Sequence, residues 1–399
     1  MGTPMRSQVG KLGKERVAVT TCGRRSLPLL LLALGGCGSG HDETVLLGPA
    51  QGDGVVDGVP PFLGLPPTAD QSANSPALLS ETAAFIDLER LEVAPGILPY
   101  SVQSPLWSDG AEKRRWMALP SDGRIGFAEH GAWAFPEGTV LIKHFGMVLD
   151  ERAPDEVHRL ETRFLVAARG GGYYGLVYAW DDDQRDARLL LDGAEEVLDI
   201  IASDGTVRQQ RYTYPSQRAC GACHSAATGQ VIGVRTAQLN GEYQRSAGEA
   251  PTPGADGVNQ LAAWAALDVF DAPLDGVPFA EREHLVSLDD EAQPLEARVR
   301  SYWDSNCSSC HNGSSAIPSW DARFSTPLER QGVLLAEPYA GPRSDGALLI
   351  VPGEPERSLI FLRSGSLRPG VGMPPLLHNR LDERYLERLG EWIESLPAR

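Results

Sequence analysis

The stretch "RACGACHSAATG", Arg218 to Gly229, holds two cysteines at a Cys-x-x-Cys spacing, and His224 directly follows the second cysteine. The stretch "NCSSCH", Asn306 to His311, repeats the same arrangement. Paired cysteines of this kind occur in disulfides, in zinc sites and in the attachment sites of c-type haem. The residues around the two motifs decide which of these sites the chain carries.

The spacing of the two motifs favours haem attachment. Cys307 follows Cys220 by 87 residues, whereas the two cysteine pairs of a zinc ribbon lie roughly 15 to 20 residues apart and need no histidine after each pair. In a Cys-x-x-Cys-His motif the thiols bind the two vinyl groups of one haem, and the adjacent imidazole binds its iron. We therefore predict two covalently bound haem c groups with one iron each. Their attachment residues are Cys220, Cys223, His224, Cys307, Cys310 and His311.

The N-terminus is typical of an export signal. Basic residues precede the apolar run of residues 27–34, and "LGGC" ends at Cys37. The run is too short to span a bilayer as a stable helix. "LGGC" resembles a bacterial lipobox, so we expect a lipoprotein-type signal peptide at 1–36 and lipidation of Cys37. We then expect a periplasmic, outer-membrane or cell-surface lipoprotein; the alternative is cleavage nearby and a free periplasmic protein.

Charge limits the partners of the chain. The formal net charge is −17, and no basic stripe of the kind that binds nucleic acid is evident. Removal of residues 1–36 takes away six basic residues and one acidic residue, so the mature chain is more acidic still. We expect redox protein partners with basic docking faces, and no nucleic acid.

Composition divides the rest of the chain. Residues 37–80 are rich in Gly, Pro, Asp and Ser, which predicts a flexible linker. Residues 81–215 predict a helix at Glu81–Leu91 and then a β-rich domain, a sandwich or small barrel. Its clearest predicted strands are Thr139–Phe145, Arg159–Ala168, Tyr173–Trp180 and Val207–Tyr214. Residues 216–290 form the first haem c region, with a helix at Asn259–Phe270, and residues 291–399 form a second haem domain. The predicted fold class is α+β.

Residues 291–399 resemble a mono-haem cytochrome c domain. Leu295, Val299 and Tyr302 repeat at helical spacing before the second motif, and an apolar stripe predicts a terminal helix from about Asp382. Between them "VPGEPERSLIFLR" precedes "GVGMPPLL", in which Met373 lies. The resemblance implies that Met373 binds the iron opposite His311.

A longer set of segments occurs in a characteristic order. They are "LPYSVQSPLWSDGAEKRRWMALP", "WAFPEGTVLIKHF", "RLETRFLV", "CGACH", "RTAQLN" and "MPPL". Together they resemble a family of uncharacterised bacterial exported di-haem c-type cytochromes, over most of residues 81–399. The resemblance implies two haems and an N-terminal β-rich region, and it implies no substrate.

The iron ligand opposite His224 is open on sequence grounds. His144 lies in "TVLIKHF", where strand alternation puts it on one face with Val140 and Ile142. A histidine beside two β-branched residues is poorly solvated, so we predict that His144 is the ligand. The alternative is that His144 binds no iron and forms a hydrogen bond with a backbone carbonyl. The other candidates are His284, Met147, Met117 or no ligand at all.

Two haems in one exported chain predict electron transfer between redox partners rather than catalysis. The alternatives are a di-haem oxidoreductase of the peroxidase type with one open iron, and a β-domain that binds a ligand with the haems as its redox output. The donor, the acceptor and the oligomeric state do not follow from the sequence.

Overall fold

A six-stranded antiparallel sheet organises the protein, in the strand order β3-β4-β5-β6-β7-β8. The computed structural model describes residues 59–225, 230–245, 257–313, 320–338, 347–375 and 378–397. All of them belong to one compact unit. The predicted divisions after residues 215 and 290 fall inside this unit. The predicted signal peptide, residues 1–36, and Cys37 lie outside the described residues.

Among the described residues the strands and α-helices do not alternate, since all ten strands precede the six α-helices. The strands are β1 (Phe85–Asp87), β2 (Glu92–Val93), β3 (Leu98–Pro99), β4 (Glu112–Ala118), β5 (Val140–Val148), β6 (Val157–Ala167), β7 (Tyr173–Trp180), β8 (Ala187–Leu189), β9 (Ala194–Ile201) and β10 (Val207–Tyr214). The helices are α1 (Gln217–Cys223), α2 (Thr236–Leu239), α3 (Gln260–Ala266), α4 (Leu295–Asn306), α5 (Leu359–Ser364) and α6 (Glu383–Ser395). The α+β class is therefore correct, and the β-rich region comprises three sheets: the six-stranded sheet and the hairpins β1–β2 and β9–β10.

Strand alternation gives the large sheet two different faces. We call one the His144 face; it carries Trp116, Ile142, His144, Phe164 and Tyr178. We call the other the Lys143 face; it carries Arg115, Leu141, Lys143, Arg163 and Gly175. Each face is covered by a different part of the chain.

The His144 face is covered by the segment before β1. Phe62, Leu63 and Leu79 are buried there in one core cluster with Ile142 and Phe164. The prediction of a flexible linker up to residue 80 is therefore wrong from Val59 onward, because apolar side chains among the Pro and Ser residues pack on the sheet.

The Lys143 face is covered by residues that follow it in sequence. Leu141 and Met117 share a core cluster with Val231 and with Leu261 of α3. Farther along the face, Phe145 and other residues of β5 and β6 pack on the hairpin β9–β10. Helix α3 and the segment around Val231 therefore pack on this face.

Helices α4 and α6 pack against each other through aromatic rings. Tyr302 and Tyr385 stack with their ring centroids 3.8 Å apart. Trp303 meets Trp392 edge to face at 5.1 Å and donates to the hydroxyl of Tyr385 at 2.8 Å. Asp382, at the predicted start of the terminal helix, caps α6 by accepting from Tyr385 N. None of the described helices is long and apolar enough to cross a membrane.

The turn before β4 fastens the sheet to the C-terminal residues. Asp109 is buried, and its carboxylate accepts hydrogen bonds from the backbone N–H groups of Asn379 and Arg380, at 3.0 to 3.1 Å. Trp107 adds a bond from its indole to the carbonyl of Arg380 at 2.9 Å. The segment "LWSDG" therefore forms a buried joint between the sheet and the chain just after Met373.

Candidate functional site

Helix α1 presents the first cysteine pair. Ser216 caps this short helix by accepting from Ala219 N. Residues three apart in a helix lie on the same side, so Cys220 and Cys223 share one side of α1. His224 follows as the residue that ends the helix. Local structure thus brings the three motif residues together.

The ring of His224 is held in one orientation. Its Nδ1 lies 2.7 Å from the carbonyl oxygen of Gln230, which can only accept. Nδ1 therefore carries the proton, and Nε2 keeps the lone pair that a metal needs. Burial lowers the pKa of His224 to about 4, in spite of the opposing effect of the Gln230 bond, so the ring is neutral at pH 7.

The first motif packs closely on the Lys143 face. Gly175 of β7 allows this approach, because a Cβ placed there would lie 2.7 Å from the Cβ of Cys220 and 2.8 Å from its Sγ. A cavity of about 280 Å³ opens beside Cys220 and His224. Its wall includes Leu165, Tyr173 and Tyr174.

The second motif lies at the end of α4. The N–H of Cys307 bonds the carbonyl of Trp303, and the N–H of His311 bonds the carbonyl of Cys307, both at 2.8 Å. This turn continues the helix into the motif. The ring of His311 stacks on Trp320 with centroids 5.3 Å apart, and burial lowers the pKa of His311.

The fold packs the segments that carry the two motifs against each other, since Gln238 donates to the hydroxyl of Ser305 at 2.9 Å. Burial raises the pKa of Cys223, and the thiolate charge of Cys310 adds a smaller rise. Burial also raises the pKa of Cys220, and it raises the pKa of Cys307 to about 12. All four cysteines are free of disulfides. A reactive catalytic cysteine needs a lowered pKa, so Cys220, Cys223 and Cys307 do not fit a nucleophilic role.

The segment that carries Met373 lies near the second motif. The backbone N–H of Met373 donates to the carbonyl of Arg363 at 3.0 Å, and the Arg363 side chain donates to the carbonyl of Val371 at 2.8 Å. The charge of the same Arg363 lowers the pKa of His311. Arg363 therefore links the half-buried Met373 to the neighbourhood of His311.

His144 is placed on the wrong face to meet His224. It is buried, and its Nδ1 lies 2.9 Å from the hydroxyl of Thr162. Its ring meets Trp180 edge to face at 5.6 Å. It shares a face with Ile142 as predicted, but α1 lies on the opposite face. His144 is thus a core histidine that bonds a hydroxyl, and its prediction as the iron ligand is corrected.

The remaining ligand candidates lie in different surroundings. His284 is exposed. Met147 is buried against the β9–β10 hairpin, where its sulfur accepts from Gln210 at 3.5 Å. Met117 is fully buried on the Lys143 face, in the cluster that Tyr173 also joins. Met117 therefore lies on the sheet face on which α1 packs, in the cluster that includes Tyr173 of the cavity wall.

Sequence reasoning missed a row of positive charges beside the first motif. Arg115, Lys143 and Arg163 stand directly opposite one another on β4, β5 and β6. Lys143 and Arg163 lie near enough to lower the pKa of His224. The available signal was a lysine inside the otherwise apolar strand "VLIKHF".

Comparison with known proteins adds no relative: no family model, no curated protein and no solved structure matches the chain. Among the described residues, no three His, Cys, Asp or Glu side chains are grouped as a metal site. A haem c needs only one histidine beside its cysteine pair, so the two motifs stand by themselves as the candidate site.

Proposed function

We propose that the protein is an exported di-haem c-type cytochrome that transfers electrons between redox partners. The packing of the two motif-bearing segments carries the proposal: Gln238, which follows the first motif, donates to the hydroxyl of Ser305, two residues before Cys307, at 2.9 Å, although Cys220 and Cys307 lie 87 residues apart in sequence. Electron transfer between two carriers weakens steeply with distance, so neighbouring attachment sites suit an internal relay.

The first motif supplies the two thiols and the imidazole nitrogen that hold a haem c. The cysteines of α1 share one side of the helix, and His224 keeps Nε2 available because Nδ1 donates to Gln230. A haem c at each motif supplies a one-electron carrier, while the chain orients it and adjusts its surroundings. The cavity beside Cys220 and His224 leaves room on the sheet side.

The second motif supports a cytochrome c-like domain. The helix before the motif and the terminal helix pack together through Tyr302 and Tyr385. Arg363 links Met373 to the surroundings of His311. We assign Met373 as the ligand opposite His311, which gives this haem a high reduction potential.

The proposal includes a lipid anchor at Cys37, facing the periplasm or the cell exterior. Replacement of Cys37 by Ser releases the protein from membranes into the soluble fraction. A wild-type protein already found in the soluble periplasmic fraction contradicts the anchor and leaves the haem assignment untouched.

Partners with basic faces follow from the net charge of −17. The rate of electron exchange with a basic cytochrome, followed by stopped-flow absorbance, falls as ionic strength rises, because salt screens long-range attraction. A rate that does not change between low and high salt contradicts docking by charge. Absence of electron exchange at every salt concentration contradicts the carrier function itself.

One observation favours a second candidate, an oxidoreductase with an open first iron. All histidines and methionines beyond residue 58 lie within the described residues, and none but His224 is on the wall of the cavity. The spectrum of the oxidised protein separates the two functions. Two low-spin haems support electron transfer alone, and one high-spin haem supports catalysis at the first motif.

A further inference from the structure

Three cations stand side by side on the Lys143 face. Arg115 of β4 stands directly opposite Lys143 of β5, and Lys143 stands directly opposite Arg163 of β6. Like charges directly opposite each other destabilise a sheet. Lys113, two residues before Arg115 on the same face, has its pKa lowered by burial and by this row. Such crowding costs stability, which suggests that the charges serve the site they face.

The row faces the first motif. Arg163 lies two residues from Leu165, which stands opposite Gly175, and Cys220 packs on Gly175. In agreement with this placement, Lys143 and Arg163 both lower the pKa of Cys223 and of His224. Burial raises the pKa of Cys220, and the charge of Arg163 opposes that rise. The positive charges therefore lie beside the residues that would hold the first haem.

One buried carboxylate partly compensates the row. Glu161 is fully buried, and its Oε1 accepts from Arg163 and, at 2.6 Å, from the hydroxyl of Tyr212. Its Oε2 has no hydrogen-bond partner among the described residues. Lys143 and Arg163 carry two positive charges against the one negative charge of Glu161, so the charge of these three residues beside the motif stays positive.

We infer that the row formed by Arg115, Lys143 and Arg163 raises the reduction potential of the first haem. The inference rests on the proposed function. When the iron takes one electron from the donor protein, the charge at the site falls by one. Neighbouring positive charges oppose the more positive oxidised state, and a partly buried setting screens them little. These residues act through the haem's electrostatic surroundings and touch no reacting atom.

Lys143 allows a clean test. Burial and the charges of Arg115 and Arg163 lower the pKa of Lys143 to about 7, so potentiometric titration at pH 6 keeps the ammonium charged. Lys143→Met lowers one of the two midpoint potentials, whereas Lys143→Arg, which keeps the charge, leaves both near the wild-type values. Arg90→Gln removes an exposed cation that pairs with Asp87 away from the row and moves neither midpoint.

Glu161→Gln provides the opposite sign. It removes a negative charge but keeps a group that can accept from Tyr212, so the same midpoint rises. Met373→Ala identifies the haems, because it shifts the other midpoint. Two attached haems whose midpoints ignore both Lys143→Met and Glu161→Gln overturn the inference alone. A chain without two haems overturns the proposed function instead.

Discussion

His144 is a buried neutral base, and its effect is on stability. Burial is the main reason that its pKa falls from 6.5 to about 3. Between pH 6.5 and pH 3, His144 is protonated in the unfolded chain and neutral in the folded chain. The contribution of His144 to stability is thus complete above pH 6.5 and is lost as the pH falls toward 3, by about 1.4 kcal/mol per pH unit.

His144→Gln tests this role against iron ligation. Urea unfolding at pH 7 and pH 5 gives a free energy that falls less in the variant than in the wild type, because the titrating ring is gone. The visible spectrum of both haems stays unchanged. A high-spin signal from one haem in the variant restores His144 as a ligand and contradicts its placement in the core.

Gly175 matters because α1 touches the strand there. Gly175→Ala puts a methyl group 2.7 Å from Cys220 Cβ, and overpacking of this kind costs about 1–3 kcal/mol. Gly233→Ala is the matched control, since its added Cβ meets nothing within 4 Å. Equal unfolding free energies for the two variants, measured by urea titration, would mean that α1 does not pack on β7 in this way.

Helix α4 is joined by a buried ion pair to the segment that follows the first motif. Asp304, three residues before Cys307, pairs with Arg235 of the segment "RTAQLN". In the same segment Gln238 donates to the hydroxyl of Ser305 at 2.9 Å. These contacts join α4, which leads into the second motif, to the segment that follows the first motif.

Removal of Arg235 measures how much the buried ion pair contributes to the free energy of unfolding. Arg235→Ala leaves Asp304 buried without its cation, which lowers the free energy of unfolding by about 3–5 kcal/mol. Arg384→Ala removes the cation of the exposed pair with Asp289 and costs less than about 1 kcal/mol. The urea midpoints of the two variants measure the difference; similar midpoints would contradict a structural role for Arg235.

The elements themselves were largely predictable. The four clearest predicted strands correspond to β5, β6, β7 and β10, because alternation is a local signal. The helix predicted at Glu81–Leu91 is wrong: Phe85–Asp87 and Glu92–Val93 form a hairpin there, with Leu91 in the left-handed region at φ 51°. Packing on the sheet decides the conformation of this short segment.

The sequence did not predict how segments far apart in the chain pack against one another. Alternation correctly put His144, Ile142 and Val140 on one face, but it carries no information about which face α1 covers. The hydrogen bond from Gln238 to Ser305, and the register that aligns Arg115 with Lys143, depend on contacts between segments far apart in sequence. The motifs were therefore readable from the sequence, and their surroundings were not.

For the whole molecule, the central claim is one covalent haem on each motif. After expression with a cytochrome c maturation system, the intact mass of the chain shows two haem additions. Cys220→Ser with Cys223→Ser removes one addition, and so does Cys307→Ser with Cys310→Ser, while Cys37→Ser removes neither. A wild-type chain that carries one haem or none, or that carries zinc at these cysteines, contradicts the account.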